Sequence, residues 1–130
     1  MTTTVSVEIA PGELIDKITI LEIKIDRMSD PEKLENVRLE WQVLTASRDE
    51  NITVSDELTK ITANLKTVNE QLWEIEDDIR DLERDKKFDK KFIDLARAVY
   101  MTNDKRAAFK RDINILLGSR LVEEKSYAAY

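Results

Sequence analysis

The stretch that decides the fold runs from Leu58 to Leu82 and reads LTKITANLKTVNEQLWEIEDDIRDL. Its apolar residues recur at alternating intervals of three and four, at Leu58, Ile61, Leu65, Val68, Leu72, Ile75, Ile79 and Leu82. This heptad spacing places the apolar side chains on one line of an α-helix. At 1.5 Å per residue the line is about 36 Å long. It therefore needs a partner helix to cover it.

A second line with the same spacing follows a short polar break. It comprises Phe88, Phe92, Leu95, Val99, Thr102, Arg106, Phe109, Ile113 and Leu116. If the chain turns back at 84–87, Leu82 lies opposite Phe92, and the same register then pairs all eight positions of the first line. The sequence therefore predicts an antiparallel helical hairpin, with helices at about 56–84 and 88–117.

The charges favour the same pairing of helices. Residues 56–83 include nine acidic and three basic side chains, whereas residues 85–118 include five acidic and nine basic ones. Facing pairs such as Asp78 with Lys91 are expected. Each exposed pair contributes only about 0.2–1 kcal/mol, but together such pairs favour one orientation of the two helices.

The composition is typical of a helical bundle. Of the 130 residues, 42% are hydrophobic and 37% are charged, and there are only two glycines and two prolines. The chain has no cysteine and no histidine, which removes thiol chemistry, the commonest general base and the commonest metal ligand. We therefore predict no catalytic residue, no metal and no cofactor, and we favour a protein that is not an enzyme.

Charge and hydropathy also restrict the expected partners. The net charge is −6, which is unfavourable for binding nucleic acid or an anionic membrane. No apolar run approaches the length of a membrane span, and no signal peptide opens the chain. These features lead us to expect a cytoplasmic protein with neither a nucleic acid nor a membrane as partner.

The chain is predicted to form one domain over residues 1–130. Alternation in Thr4–Ile9 favours a short strand or an extended segment within residues 1–10. A helix pair is expected at 11–48, the long hairpin at 56–117, and an extended tail at 119–130 beside the N-terminal segment. Asp30 and Ser55 are expected to cap helices, and Gly118 is expected to end the last one.

The first helix of the pair, at about Pro11 to Met28, is apolar on nearly all of its faces. A helix of that kind usually lies at the centre of its bundle. Apolar residues at 18–25 also fit strand alternation with a slip, but a single helical stripe spans the whole stretch, so we favour the helix. The second helix begins at Pro31 and is expected to end near Arg48.

Four motifs spread along the chain carry a family resemblance. They are GELIDKITILEIK at 12–24, LWEIED at 72–77, NDKRA at 103–107 and EEKSY at 123–127. Together they are similar to a small family of uncharacterised bacterial and phage proteins. The resemblance implies a cytoplasmic, all-helical protein and brings no activity with it, because the family has none assigned.

Arg106 is the residue that fits its predicted position least well, since it falls on the apolar line of the last helix. A buried guanidinium needs an acid, access to solvent or an anionic ligand. Our site hypothesis is a polar gap that binds an anion, nucleotide-like or carboxylate, through Arg106, Lys110, Asn103, Glu76 and Glu22. The alternative is a structural ion pair, or a break in the helix near Thr102 that lets Arg106 reach water.

Three further patterns in the sequence are weaker, because an ordinary solvated surface explains each of them as well. The acidic run from Glu74 to Glu83 could hold Mg²⁺ as in all-α pyrophosphohydrolases, but the matching Glu–Asp pair on the next helix is missing. Arg106 and Lys110, with Lys24 and Arg27, could bind a dianion as in all-α chorismate mutases, although the spacing of those enzymes is not reproduced. Lysines 86, 87, 90 and 91 are expected to form a solvated turn.

The function that the sequence favours is a non-enzymatic interaction or scaffolding module. The long apolar lines need more cover than one facing helix and a short helix pair can give, so we expect a homodimer, with a further protein partner unidentified. The alternative is a binder of, or an enzyme acting on, an anionic small molecule at the gap around Arg106.

Overall fold

The computed structural model of the chain describes residues 2–130, which contain four helices and no strand. The helices are α1 (Pro11–Arg27), α2 (Pro31–Asn51), α3 (Asp56–Arg84) and α4 (Lys90–Leu116). The prediction of an all-α bundle with a long antiparallel hairpin is confirmed. The last helix continues without interruption through Thr102.

Local capping explains where the helices begin. The side chain of Asp30 accepts hydrogen bonds from the N–H groups two and three residues further on, and Ser55 Oγ accepts one from the N–H of Leu58 at 3.1 Å. Pro11 and Pro31 occupy the first helical positions, where the missing N–H has no partner to lose. These starts agree with the sequence prediction, whereas α2 ends three residues later than expected, at Asn51.

A glycine in the left-handed region ends α4. Gly118 has φ +64°, its N–H donates to the carbonyl of Ile115, and the N–H of Ser119 donates to the carbonyl of Asn114 at 2.9 Å. This pair of bonds is the Schellman motif, which satisfies the last carbonyls of a helix and favours glycine at the left-handed position. The predicted role of Gly118 is confirmed.

The inner part of the hairpin of α3 and α4 contributes four of the ten buried apolar residues, Leu58, Leu65, Val68 and Ile113. Leu65 and Ile113 are completely buried, and both pack in one cluster with Leu58 and with Ile15 of α1. The expected facing ion pair of Asp78 with Lys91 does not form among the described residues. Ion pairs near the tip of the hairpin instead lie within one helix or its turn, as in Arg80 with Glu76 and Lys90 with Asp94.

α1 is the central helix of the bundle. It packs against all three other helices, whereas α2 packs only on α1. Leu14, Ile15, Ile18, Leu21 and Ile23 of α1 are all buried. Residues 18–25 are therefore helical, as favoured over the strand alternative. The helix can be apolar on several faces because other helices cover those faces.

Gly12 permits the closest approach in the bundle, where the start of α1 meets α4. Its N–H donates to Asn114 Oδ1 at 2.7 Å, and both residues are buried. A Cβ added at Gly12 would overlap the carbonyl oxygen of Lys110 and lie 2.8 Å from Asn114 Oδ1. Only glycine allows the two backbones to lie at this distance.

The N-terminal segment and the C-terminal tail have no regular secondary structure. The alternating segment Thr4–Ile9 forms no strand, since no neighbouring segment pairs with it, and Val5 and Val7 are exposed. An ion pair between Glu8 and Arg120 does hold the segment beside the tail. None of the helices in residues 2–130 is long and apolar enough to cross a lipid bilayer.

Candidate functional site

A buried ion pair joins α1 to α4 at the position where the sequence analysis placed the polar gap. Asp16 of α1 is fully buried. Arg106 of α4 donates two hydrogen bonds to its carboxylate, from Nε at 3.0 Å and from a terminal nitrogen at 2.5 Å. Such a fork-to-fork pair fixes both the position and the plane of the guanidinium. Burial makes the pair strongly interdependent, because either partner alone would be an uncompensated charge.

Two further polar side chains complete the network around Asp16. Asn69 of α3 donates from Nδ2 to Asp16 Oδ1 and to Thr19 Oγ1, both at 2.9 Å. Thr19 in turn donates to the carbonyl of Asp16 at 2.8 Å. The network ties three helices together, and no buried side-chain polar atom among the described residues lacks a partner. A fully satisfied network of this kind specifies one arrangement of the helices.

The network keeps Arg106 charged and leaves three of its N–H donors unused. Its hydrogen bonds to Asp16 raise the pKa of Arg106 above the ordinary value, and this effect outweighs the opposing effect of burial. A guanidinium carries five N–H donors, of which Asp16 takes two. The side chain of Arg106 is 31% exposed, so the remaining donors are within reach of solvent.

The exposed side of Arg106 faces a cleft of about 880 Å³ between α4 and the C-terminal tail. The cleft has the size of a small-molecule site. Three aromatic rings and four polar or charged side chains share its lining with small apolar residues: Tyr100, Tyr127, Tyr130, Asn103, Asp104, Arg106 and Lys125. The structure thus brings together Arg106 and Asn103 of the predicted site and adds tail residues that the sequence analysis did not select.

The tail forms one wall of the cleft because it folds back along α4. Tyr130 donates from its hydroxyl to Asp104 Oδ2 at 2.6 Å and packs edge-on against Tyr100, with ring centres 5.3 Å apart. This hydrogen bond raises the pKa of Tyr130 above its ordinary value, since ionisation would break it. Lys125 lies 5.6 Å above the ring of Tyr127.

Lys110 anchors the tail rather than lining the cleft. Its ammonium group contacts Glu13 of α1 at 2.8 Å and Glu123 of the tail at 2.9 Å. Burial lowers the pKa of Lys110, but the hydrogen bonds to the two carboxylates outweigh burial and raise it. The same contact lowers the pKa of Glu123. The two carboxylates thus balance the positive charge of Lys110, which lies one turn along α4 from Arg106.

Neither of the two predicted acids contacts Arg106. Glu22 lies 3.4 Å from Lys66 Nζ and accepts a hydrogen bond from the indole of Trp41. Glu76 pairs with Arg80 on the exposed side of α3. Arg106 instead pairs with Asp16, which lies six residues closer to the start of α1 than Glu22.

The acidic run from Glu74 to Glu83 and the lysines at the hairpin tip lie mostly on the surface. Glu74 pairs with Arg27, and Asp81 with Arg84. No group of three or more acidic side chains within residues 2–130 is arranged to hold a metal ion. The lysines at 86, 87, 90 and 91 are exposed at the tip of the hairpin.

Asp16, Asn69 and the tail tyrosines are the residues that sequence reasoning missed. A signal for Asp16 did exist, because it is an acid in the middle of a helix that is apolar on nearly all faces, where an unpaired carboxylate is costly. Asn69 follows Val68 of the apolar line and gave no comparable signal. The tail tyrosines could not be found, since nothing local indicates that the tail returns along α4.

The ion pair of Glu123 with Lys110 leads us to expect that acid releases the tail. Because the folded pKa of Glu123 is below its ordinary value of 4.5, the stabilisation is complete above that value and is lost as pH falls through the lowered pKa. Heteronuclear NOE values for residues 121–130 should therefore stay constant down to about pH 4.5 and drop as the pH falls further, through the range in which ion-paired carboxylates titrate. Glu123→Gln should show the low values already at pH 7. Values that stay high down to pH 3 would contradict this account.

Comparison with known proteins places the chain in a family but identifies no activity. No curated protein and no solved structure matches the chain significantly. A family model does match residues 5–130, which is nearly the whole chain and includes α1 to α4 and the tail. The chain belongs to DUF6165, a family of unknown function.

Proposed function

We propose that this chain is a non-enzymatic interaction module that self-associates through the outer part of its hairpin. This part, residues 70–101, is called the arm below. The observation that carries the proposal is that no residue of the arm is buried. Yet the arm contains eight apolar residues of the two predicted lines. Phe88 is exposed, and the other seven are half-buried: Leu72, Ile75, Ile79, Leu82, Phe92, Leu95 and Val99.

The arm lacks cover because the helix pair does not reach it. α1 ends at Arg27, which pairs with Glu70 and Glu74 where the arm begins. α2 packs on α1 and not on the hairpin. Two helices alone cannot enclose the line of side chains between them, and a second pair of helices would complete a four-helix bundle.

Charge complementarity favours a second copy of the same chain as the occupant. Residues 72–84 carry six acidic and two basic side chains, and residues 85–99 carry three acidic and five basic ones. Asp77 and Asp78 of α3, and Lys87, Lys91 and Arg97 beyond the turn, form no ion pair within the described chain. In a two-fold dimer, the acidic α3 of each copy can face the basic α4 of the other copy.

The test is the oligomeric state and its dependence on these charges. Light scattering at high micromolar concentration should give twice the chain mass of 15.1 kDa. The double reversal Asp77→Lys with Asp78→Lys should yield a monomer, because like charges then meet across the interface. Adding Lys87→Glu and Lys91→Glu should restore the dimer.

Two exposed lysines outside the arm provide the matched control. Lys60→Glu and Lys105→Glu together change the net charge by four units, the same amount as the double reversal, and both residues lie away from the arm and form no ion pair within the described chain. These changes should leave the dimer intact. A monomeric wild type would refute self-association, and a dimer that survives the double reversal would exclude the arm as its interface.

A second candidate function is the binding of an anionic small molecule beside Arg106. The observation that favours it is the cleft of about 880 Å³, which is lined by both Arg106 and Asn103, together with the partial exposure of Arg106. Both candidate functions are compatible with the cytoplasmic location expected from the sequence. The two surfaces share Val99 and Tyr100 and otherwise comprise different residues.

A further inference from the structure

We propose that the cleft between α4 and the C-terminal tail binds a small carboxylate carried on a planar aromatic ring. The proposal rests on the second candidate function and specifies its ligand class, and it is independent of self-association. It combines an anchored guanidinium with unused donors, an aromatic lining and a local charge balance that suits a single negative charge.

The first argument is the orientation of Arg106. Its two hydrogen bonds to buried Asp16 use one edge of the guanidinium, and Asn69 holds Asp16 from the other side. Three N–H donors on the end edge, on Nη1 and Nη2, are not used by Asp16 and lie in the same fixed plane, and Arg106 lines the cleft. A planar carboxylate accepts two parallel hydrogen bonds from such an edge. Because the guanidinium is already fixed, little side-chain entropy is lost when a ligand binds.

The second argument is the aromatic lining. Tyr100 contributes a ring from α4, and Tyr127 and Tyr130 contribute rings from the tail. Tyrosine offers a large rigid surface at low entropic cost, and aromatic rings pack on one another edge-on or in offset stacks. A ligand with a planar ring would fill the space between the two walls, whereas a bare anion would leave the rings in contact with water.

The third argument is the charge around the cleft. Arg106 and Lys125 supply two positive charges to the lining, and Asp104 supplies a negative one. Asp16 compensates Arg106 directly from behind. The site therefore has no excess of positive charge to offset the two negative charges of a phosphate monoester. A monoanion meets the same donors with less repulsion from the two carboxylates.

The experiment is a set of NMR titrations of the full chain with four matched probes. These are 4-hydroxybenzoate, its uncharged analogue 4-hydroxybenzamide, the phosphate analogue phenyl phosphate, and acetate, which has no ring. We expect saturable amide shifts confined to residues 99–106 and 125–130 for 4-hydroxybenzoate. Binding of the benzamide and of acetate should each be about tenfold weaker or more, since each lacks one of the two recognition elements.

Variants locate the site and separate binding from folding. Arg106→Lys retains a charge opposite Asp16 but loses the fixed fork of donors, and it should weaken 4-hydroxybenzoate binding about tenfold. Tyr127→Ala, which removes an exposed ring of the tail, should also weaken binding without unfolding the chain. Lys105→Met, on the same helix but absent from the cleft lining, should bind as the wild type does.

The outcomes distinguish failure of the ligand class from failure of the site. Tighter binding of phenyl phosphate than of 4-hydroxybenzoate would overturn the monoanion argument and leave the cleft as an anion site. Equal binding of acetate and 4-hydroxybenzoate would overturn the role of the tyrosines. No saturable shift with any of the probes up to about 10 mM, the weak end of useful affinity, would refute both the proposal and the candidate function beneath it.

Discussion

Arg106→Leu should lower the free energy of unfolding by about 1–3 kcal/mol, because leaving the carboxylate of Asp16 buried without its cation costs about 3–5 kcal/mol and leucine packing recovers only part of that cost. Asp16 is fully buried, so water cannot replace the lost hydrogen bonds. Leucine would restore the apolar line of α4, but the gain from one aliphatic side chain, about 1.5–3 kcal/mol when fully buried, does not offset a stranded charge. Urea denaturation at pH 7 measures the difference.

A double-mutant cycle separates the stranded charge from the altered packing. Asp16→Asn removes the negative charge and keeps an acceptor for Asn69, so Arg106→Leu combined with Asp16→Asn should be more stable than Arg106→Leu alone. The exposed pair of Arg80 with Glu76 is the matched control, and Arg80→Leu should change stability by less than about 1 kcal/mol. If Arg106→Leu were as stable as the wild type, the ion pair would not hold α1 to α4.

Gly12→Ala should destabilise the chain by about 2–3 kcal/mol, although alanine is the better helix former. The added Cβ would overlap the carbonyl oxygen of Lys110, which belongs to the backbone of α4 and cannot rotate away. The helices must separate, which weakens core packing and the hydrogen bond of the Gly12 N–H to Asn114. Thermal or urea unfolding would measure this loss.

Gly118→Ala is the control for the general effect of replacing a glycine. Nothing lies within 4 Å of a Cβ added there, but the residue has φ +64°. The expected cost is therefore only the backbone strain of about 1 kcal/mol. A cost at Gly12 equal to or below that at Gly118 would show that α1 and α4 are not in close backbone contact.

Local patterns explain why so much of the fold could be predicted. Heptad spacing depends only on residues three and four apart, so the α3 and α4 lines were visible without any tertiary information. Caps are equally local, and Asp30, Ser55 and Gly118 act where the sequence indicated. Arg106 could be predicted as a site residue in the same way, because it interrupts the apolar line of α4.

The sequence by itself determined the four helices, the direction of the hairpin and the central place of α1, because these follow from periodicity, turns and the distribution of apolar faces. Only the tertiary structure decided which acid pairs with Arg106, since several carboxylates lie on neighbouring helices and the crossing of α1 with α4 brings Asp16 into reach. It also decided that Gly12 serves a backbone contact and that the tail closes a cleft along α4. The contact of Gly12 with Asn114 joins residues 102 positions apart, and the contact of Asp104 with Tyr130 joins residues 26 positions apart. No local pattern encodes contacts over such distances.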